Sequence, residues 1–146
     1  MKEQINTSAK NLPVSVYQIQ WKFRDELRAK SGILRGREFL MKDMYSFHAS
    51  HEDFLAYYEQ AKKMYLETFA KLGLEAKATE ASGGAFTDKK SYEFMVLTEA
   101  GEDDILYCDN PTCGYCVNTE IADQGLKAGS PCPRCQSGKM VAARAS

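Results

Sequence analysis

Apolar and polar residues alternate along the first third of the chain. The segment VSVYQIQWKFRDE, residues 14–26, places every second side chain on an apolar face. The apolar members are Tyr17, Ile19, Trp21 and Phe23. A period of two predicts a β-strand. Residues 27–36 contain KSG and RG and are predicted to be a loop, and residues 37–47 a second strand, so the segment forms a long antiparallel hairpin.

The following segment has helical periodicity. Apolar residues recur at intervals of three and four between residues 51 and 72, which predicts an amphipathic helix. Ser50 and Asp53 stand at capping-box spacing, and Gly73 is placed to end the helix. Three short strands are predicted next, over residues 74–80, 91–99 and 104–108, with a loop EASGGAFTDKKS between the first two.

A cysteine cluster begins where the last predicted strand ends, in a region predicted to be rich in loops. The five cysteines are Cys108, Cys113, Cys116, Cys132 and Cys135. The N-terminus MKEQINTSAKNLP has no apolar core, so no secretory signal is predicted and disulfides are not expected. Two cysteine knuckles instead favour structural zinc. Cys132 and Cys135 form one knuckle, and the spacing allows either Cys108 with Cys113 or Cys113 with Cys116 as the other.

The length and charge of the chain exclude some classes of function. With 146 residues, 44% of them hydrophobic, the chain can bury one ordinary core and organise a small appendage. Its 19 basic and 20 acidic residues give no overall attraction to nucleic acid or anionic lipid, so any anion site is local. No apolar run reaches the roughly 18 residues of a membrane helix. A cytoplasmic protein is therefore predicted.

The predicted hairpin concentrates positive charge at its tip. The stretch KFRDELRAKSGILRGREF, residues 22–39, contains six basic residues bracketed by phenylalanines. The planar guanidinium of arginine binds a phosphate through paired hydrogen bonds, and phenylalanine stacks on a purine base. The stretch therefore has the residue types that bind a nucleotide. The alternative is a solvated surface whose arginines pair with Asp25, Glu26 and Glu38.

Two segments of this sequence resemble a known family. FRDE, a loop, then RGREF resembles motif 2 of the class II aminoacyl-tRNA synthetases. The longer run LPVSVYQIQWKFRDELRAKSGILRGREFLMKDMYSFH and the later SYEFMVLTEAGEDDILYC resemble bacterial-type prolyl-tRNA synthetases. The resemblance covers roughly residues 12–140. It implies an α+β fold in which residues 1–107 are part of the class II antiparallel sheet with a covering helix, and residues 108–146 are a zinc-ribbon-like insertion.

The resemblance also implies roles for individual residues. Arg24 would be the catalytic residue, holding the α-phosphate of ATP and the proline carboxylate. Glu26 would meet the adenine amino group, Arg35 the γ-phosphate, and Phe39 would stack on adenine. The stretch that lines the proline pocket in the family corresponds to Met41, Asp43, Tyr45, Phe47 and His48. The loop residues that would approach the tRNA acceptor end are Arg28 and Lys30.

The implied activity is ATP-dependent activation of proline and its transfer to tRNA, with Mg²⁺ accompanying the nucleotide. A homodimer is expected of the full-length enzyme. The pattern in related synthetases favours the zinc set Cys108, Cys113, Cys132 and Cys135 over the set with Cys116. Motifs 1 and 3 are not recognised, so we expect an incomplete catalytic-domain fragment, inactive alone. The alternatives are a non-catalytic synthetase-like module that binds nucleotide or tRNA, and a zinc-ribbon protein that binds nucleic acid.

Overall fold

The computed structural model describes residues 9–30, 32–84 and 91–146 of the chain. They belong to two compact units that divide between Glu59 and Gln60. Antiparallel strands combined with one long helix confirm the predicted α+β class. Among the described residues, no helix is long and apolar enough to cross a membrane.

The first unit is built on the predicted hairpin. Strands β1 (Val14–Phe23) and β2 (Glu38–Phe47) pair antiparallel along their full length, from Val14 opposite Phe47 to Phe23 opposite Glu38. A short 3₁₀ turn, Ala9–Asn11, precedes them. Because residues directly opposite each other share a face, the register gives the hairpin two faces of different composition.

Helix α1 (His51–Lys71) begins and ends as the sequence predicts. The Ser50 hydroxyl accepts a hydrogen bond from the backbone N–H of Asp53 at 3.1 Å, which satisfies one of the free donors of the first turn. Gly73 has a φ of 78°, the left-handed conformation that ends helices. In the first unit, Tyr57 of this helix lies 3.2 Å from the Ser15 hydroxyl and 3.8 Å from the Met44 sulfur.

The second unit contains a five-stranded sheet in the order β4-β3-β6-β5-β7. Its strands are β3 (Ala76–Ala81), β4 (Ser91–Val96), β5 (Asp103–Cys108), β6 (Cys116–Asn118) and β7 (Met140–Ala145). All pairings are antiparallel except that of β3 with β6. The aromatic rings of Tyr65 and Phe69 from α1 contact Phe94 of β4, with centroids 5.1 and 5.8 Å apart.

Two buried clusters hold this sheet together, one on each face of β5. Ile105 packs with Met95, Cys116 and Ala145, whereas Leu106 and Cys108 pack with a second group. The second group comprises Tyr115, Val117, Cys132 and Met140. Gly101 is required at the sheet edge, because a Cβ there would overlap the backbone carbonyl of Ala145.

Three predicted strands match β3, β4 and β5 with small shifts at their ends. Residues 85–90 of the predicted loop between the first two lie outside the described residues. Strands β6 and β7 were not predicted, and β7 pairs with β5 from Asp103 opposite Ala145 to Cys108 opposite Met140. The predicted boundary at residue 108 therefore runs through a single sheet, and the compact units divide elsewhere.

Candidate functional site

A cavity of about 410 Å³ opens at the tip of the hairpin in the first unit. Its lining includes all four residues that the sequence assigns to ATP, which are Arg24, Glu26, Arg35 and Phe39. Ile33, Leu34 and Gly36 complete it. Two backbone hydrogen bonds join the two sides of the hairpin beside the cavity, from Arg24 N–H to the Arg37 carbonyl at 2.9 Å and from Lys30 N–H to the Arg35 carbonyl at 3.1 Å.

Arg24 and Phe39 are in contact within this cavity. The guanidinium carbon of Arg24 lies 5.3 Å from the centroid of the Phe39 ring. A cation over an aromatic face at an exposed site is worth about 0.5–1 kcal/mol. The contact between Arg24 and the ring is therefore weak. Charge-assisted hydrogen bonds from Arg24 to a phosphate, worth about 1.5–3 kcal/mol, can replace it.

Glu26 and Arg35 form an ion pair, in which Arg35 Nη1 lies 3.2 Å from Glu26 Oε2. Glu26 Oε1 also accepts the backbone N–H of Arg28 at 3.0 Å, and its own carbonyl accepts Arg37 Nε at 3.0 Å. The Arg28 N–H and the Arg35 side chain lower the pKa of Glu26, so the carboxylate is ionised at neutral pH. Arg35 is thus paired with Glu26, as the alternative interpretation of the stretch as a solvated basic surface requires.

Four of the five proline-pocket candidates share the face of β2 that carries Phe39. They are Met41, Asp43, Tyr45 and Phe47, which follow it at intervals of two. Asp43 is held by Lys22 Nζ at 2.9 Å and by Gln18 Nε2 at 2.6 Å, and these bonds lower its pKa. Lys22 and Gln18 were not singled out in the sequence, although their alternation with the apolar residues of β1 places them on this face.

His48 is not brought together with those four residues. Its side chain is 4% exposed, and Nδ1 lies 2.8 Å from Asp53 Oδ2. The ring contacts Phe54 and Tyr57 of α1, at centroid distances of 6.0 and 5.1 Å. Because Tyr57 also contacts Ser15 and Met44, this part of α1 lies on the opposite face of the hairpin. Arg28 and Lys30, the tRNA candidates, are exposed near the hairpin tip.

The second unit brings four cysteines together. The sulfur atoms of Cys108, Cys113, Cys132 and Cys135 all lie within 4.8 Å of one another. The Cys108–Cys135 and Cys113–Cys132 sulfur distances are both 3.7 Å, and all four are free thiols. A tetrahedron with metal–sulfur bonds of about 2.3 Å has sulfur–sulfur edges of about 3.8 Å. The cluster therefore fits a zinc ion bound by four thiolates.

Cys116 lies outside this cluster. It is opposite Tyr107 in the β5–β6 pair, so its side chain projects from the face of the sheet opposite to that of Cys108. Its sulfur lies 3.2 Å from the Thr79 hydroxyl, and burial raises its pKa. The structure thus brings together the set of four cysteines that the resemblance favoured, and the set that includes Cys116 is not assembled.

The cluster's surroundings affect its thiols unequally. Burial raises the pKa of Cys108 and of Cys113. The Ser137 side chain and the Gly138 backbone N–H lower the pKa of Cys135, whose sulfur is 3.4 Å from that N–H. Asn110 Nδ2 in turn donates to the Ser137 hydroxyl at 3.1 Å. Spacing between cysteines could not reveal these supporting residues.

Gly138 is positioned so that a side chain would displace the cluster. A Cβ there would lie 2.5 Å from Cys108 Sγ and 2.8 Å from Asp109 Oδ1. We expect Gly138→Ala to weaken zinc binding by about 10-fold or more, as seen when a supporting shell is disturbed. Competition with a chromophoric chelator measures this. Gly36→Ala is the control, since its nearest atom would be 3.5 Å away, and equal zinc affinity in the two variants would contradict the expectation.

Comparison with known proteins identifies the family of this chain. The family model described as tRNA synthetase class II core domain (G, H, P, S and T) matches residues 1–136. The chain therefore belongs to the class II tRNA synthetase family.

The particular relatives are proline–tRNA ligases. That of Campylobacter hominis is 48% identical over 134 residues, which are 92% of this chain and 23% of the relative. That of a Nitratiruptor species is 53% identical over 116 residues, 80% of this chain and 20% of the relative. That of Campylobacter jejuni is 50% identical over 121 residues, 83% and 21% respectively. These matches confirm the predicted resemblance, and the chain spans about a fifth of the length of these relatives.

Proposed function

We propose that this chain provides the ATP-binding hairpin of a proline–tRNA ligase. The observation that carries the proposal is the cavity at the hairpin tip, where two arginines, a carboxylate and an aromatic ring converge. These are the chemical groups that phosphates and an adenine base require. The names of the relatives supply proline and tRNA as the other substrates.

Arg24 and Phe39 would exchange their mutual contact for contacts to ATP. The guanidinium would leave the ring for the α-phosphate and the proline carboxylate, and the adenine would take its place on Phe39. The magnitudes favour this exchange, because charge-assisted hydrogen bonds exceed an exposed cation–π contact by roughly 1 kcal/mol or more.

The Glu26–Arg35 pair would remain intact when ATP binds. A carboxylate has about four acceptor positions, and Glu26 uses two of them for Arg28 N–H and Arg35. Another can accept the adenine amino group. A guanidinium has about five donors, so Arg35 can hold Glu26 and still donate to the γ-phosphate. The pairing thus orients both residues toward the nucleotide.

The proposed reaction begins with attack of a proline carboxylate oxygen on the α-phosphorus of ATP, which releases pyrophosphate. The 3′-terminal ribose hydroxyl of tRNA then displaces AMP from the prolyl carbonyl. Arg24 positions both reactants of the first step and stabilises the negative charge that accumulates at phosphorus. Mg²⁺ bound to the nucleotide would supply further charge neutralisation.

The remaining assignments are extensions of this proposal. Met41, Asp43, Tyr45 and Phe47 form the wall for proline, while His48 supports α1 through Asp53 and contributes to that wall only indirectly. Arg28 and Lys30 meet the tRNA acceptor end. Zinc at the four-cysteine cluster is structural, because four thiolates leave no position for an activated water.

Replacing Phe39 by alanine tests the nucleotide site. Losing a stacking partner worth about 0.5–1.5 kcal/mol should weaken ATP binding by roughly 2- to 13-fold. Isothermal titration calorimetry with ATP and with tripolyphosphate measures the effect and supplies its control. Tripolyphosphate has no base, and its binding to Arg24 competes with the Phe39 ring, so its affinity should not fall. Equal losses for both ligands would contradict the stacking role.

A nucleotide-binding module without ligase activity is the second candidate, because the residues that line the hairpin cavity are of the kinds that bind a nucleotide. Proline-dependent exchange of pyrophosphate with ATP separates the two. A ligase site catalyses this exchange, whereas a module binds ATP without it.

A further inference from the structure

The four-cysteine cluster places a buried thiol beside each of its two partly exposed thiols. Cys113 and Cys135 are partly exposed, whereas Cys108 and Cys132 are buried. The Cys135 sulfur lies 3.7 Å from that of Cys108, and the Cys113 sulfur lies 3.7 Å from that of Cys132. Each pair therefore has one sulfur that a small solute can reach and a second sulfur directly behind it.

This arrangement has the groups that a peroxide needs to form a disulfide. Oxidation of cysteine selects sulfurs that are exposed and ionised, and cysteines that bind zinc are deprotonated. The first product is a sulfenic acid, which condenses with a neighbouring thiol. A disulfide bond is about 2.05 Å long, so each 3.7 Å pair has to close by only about 1.7 Å.

We propose that the cluster is a site of reversible oxidation by hydrogen peroxide, which forms the disulfides Cys108–Cys135 and Cys113–Cys132 and releases zinc. The inference rests on the structural zinc proposed above. In each pair the partly exposed thiolate attacks one peroxide oxygen, the O–O bond breaks, and a sulfenic acid and hydroxide form. The buried thiolate then attacks the sulfenic sulfur, the S–S bond forms, and a second hydroxide leaves. Two protons from solvent convert both hydroxides to water, so each disulfide consumes one peroxide.

Both proposed disulfides join one cysteine knuckle to the other. Cys108 ends β5, and Cys135 lies 27 positions later, shortly before β7. A cross-link over this separation restricts the unfolded chain and stabilises the folded one. Oxidation would therefore replace the metal by two covalent links that hold the same two knuckles together. Disulfides within a knuckle, Cys108–Cys113 or Cys132–Cys135, would leave the knuckles unconnected.

Cys116 is an internal control for this chemistry. It is 2% exposed, lies on the opposite face of the sheet from Cys108, and its sulfur is 3.2 Å from the Thr79 hydroxyl. Neither peroxide nor a cluster sulfur can reach it in the folded chain. We expect Cys116 to remain a thiol when the other four cysteines are oxidised.

Titration of the zinc-loaded whole chain with hydrogen peroxide tests the proposal. A chromophoric chelator measures the released zinc, and mass spectrometry of proteolytic peptides identifies the disulfides. We expect free thiols to fall from five to one per chain as zinc is released, with Cys116 the remaining thiol. Dithiothreitol should restore the thiols and zinc binding. The oxidised, zinc-free chain should melt roughly 10 °C or more above the reduced, zinc-free chain.

Two controls make the pairing specific. Oxidation of the chain in denaturant should give mixed pairings that include Cys116, because four cysteines alone allow three connectivities. Cys116→Ser should form the same two disulfides as the parent chain when folded. Cys132→Ser removes the buried partner of Cys113, so the Cys113 sulfenic acid should become trappable with dimedone while Cys108–Cys135 still forms.

The mapped disulfides of the parent chain decide the outcome without relying on any variant. Disulfides within the knuckles, a cluster disulfide to Cys116, or zinc retained with all thiols reduced would overturn the proposal. Zinc release accompanied only by sulfinic acids would overturn it too, because the buried partners would then have failed to react. Absence of zinc from the purified chain would instead contradict the structural zinc on which the inference rests.

Discussion

Replacing Cys108 by serine should remove zinc from the chain, whereas replacing Cys116 by serine should leave the zinc in place. Both thiols are buried, but only the Cys108 sulfur lies in the cluster, 3.7 Å from that of Cys135. An apparent zinc-binding free energy of about 10–16 kcal/mol, divided among four thiolates, assigns roughly 3 kcal/mol, or about 100-fold in affinity, to each. By the same division, replacing any of the other three cluster cysteines should cost about as much.

Metal analysis of chain purified with zinc supplies the measurement. We expect one zinc per chain in the parent and in Cys116→Ser, and little in Cys108→Ser after dialysis against a chelator. The thermal midpoint should fall with the zinc, because Cys108 and Met140 terminate the paired strands β5 and β7 next to the cluster. Zinc retained by Cys108→Ser and lost from Cys116→Ser would assign the site to the other set of cysteines.

Replacing Arg24 by alanine should weaken binding of both ATP and tripolyphosphate by roughly 10- to 100-fold. This loss of affinity corresponds to the charge-assisted hydrogen bonds, worth about 1.5–3 kcal/mol, that Arg24 is proposed to make to phosphate. This differs from Phe39→Ala, which should weaken the binding of ATP alone. Calorimetric titrations of the two variants with the two ligands therefore separate base recognition from phosphate recognition.

Two further variants make the Arg24 result specific. Arg24→Lys should recover only part of the affinity, since it keeps the charge and loses the planar fork. Arg144→Ala removes an exposed arginine from the second unit and should have no effect. If Arg24→Ala bound tripolyphosphate as tightly as the parent chain, the assignment of Arg24 to phosphate would be wrong.

Local patterns were sufficient for the hairpin and for helix α1. Alternation predicted β1 to within a few residues, and β2 was predicted as the strand that follows the loop. Ser50 and Gly73 marked the ends of the helix because capping and left-handed termination are local effects. Pairing between distant segments is not local. Strand β7 consists mainly of small residues and becomes a strand by pairing with β5, more than thirty positions earlier, so no local pattern marks it.

In the candidate sites, too, local patterns predicted some features, and contacts between distant segments determined the others. Cysteine spacing left two ligand sets open, and the pairing of Cys116 with Tyr107 separates them by directing the two thiols to opposite faces of the sheet. Successive side chains of a strand point to opposite faces, so His48 lies on the other face from the remaining proline-pocket candidates. The sequence was enough to predict this separation, because His48 comes one position after Phe47. The Glu26–Arg35 contact depends on how the loop closes, which no periodicity describes.

The pairing of Cys108 with Met140 has a consequence for how this region tolerates changes in length. The two ends of the segment 109–139 lie side by side in the sheet, and between these ends the segment contributes β6 to the same sheet. The entropy of closing such a loop rises only with the logarithm of its length, by about 0.6 kcal/mol for each doubling. Residues could therefore be added between β6 and the Cys132 knuckle without separating β5 from β7. Zinc bound at the four-cysteine cluster would hold the two ends of this segment together whatever its length.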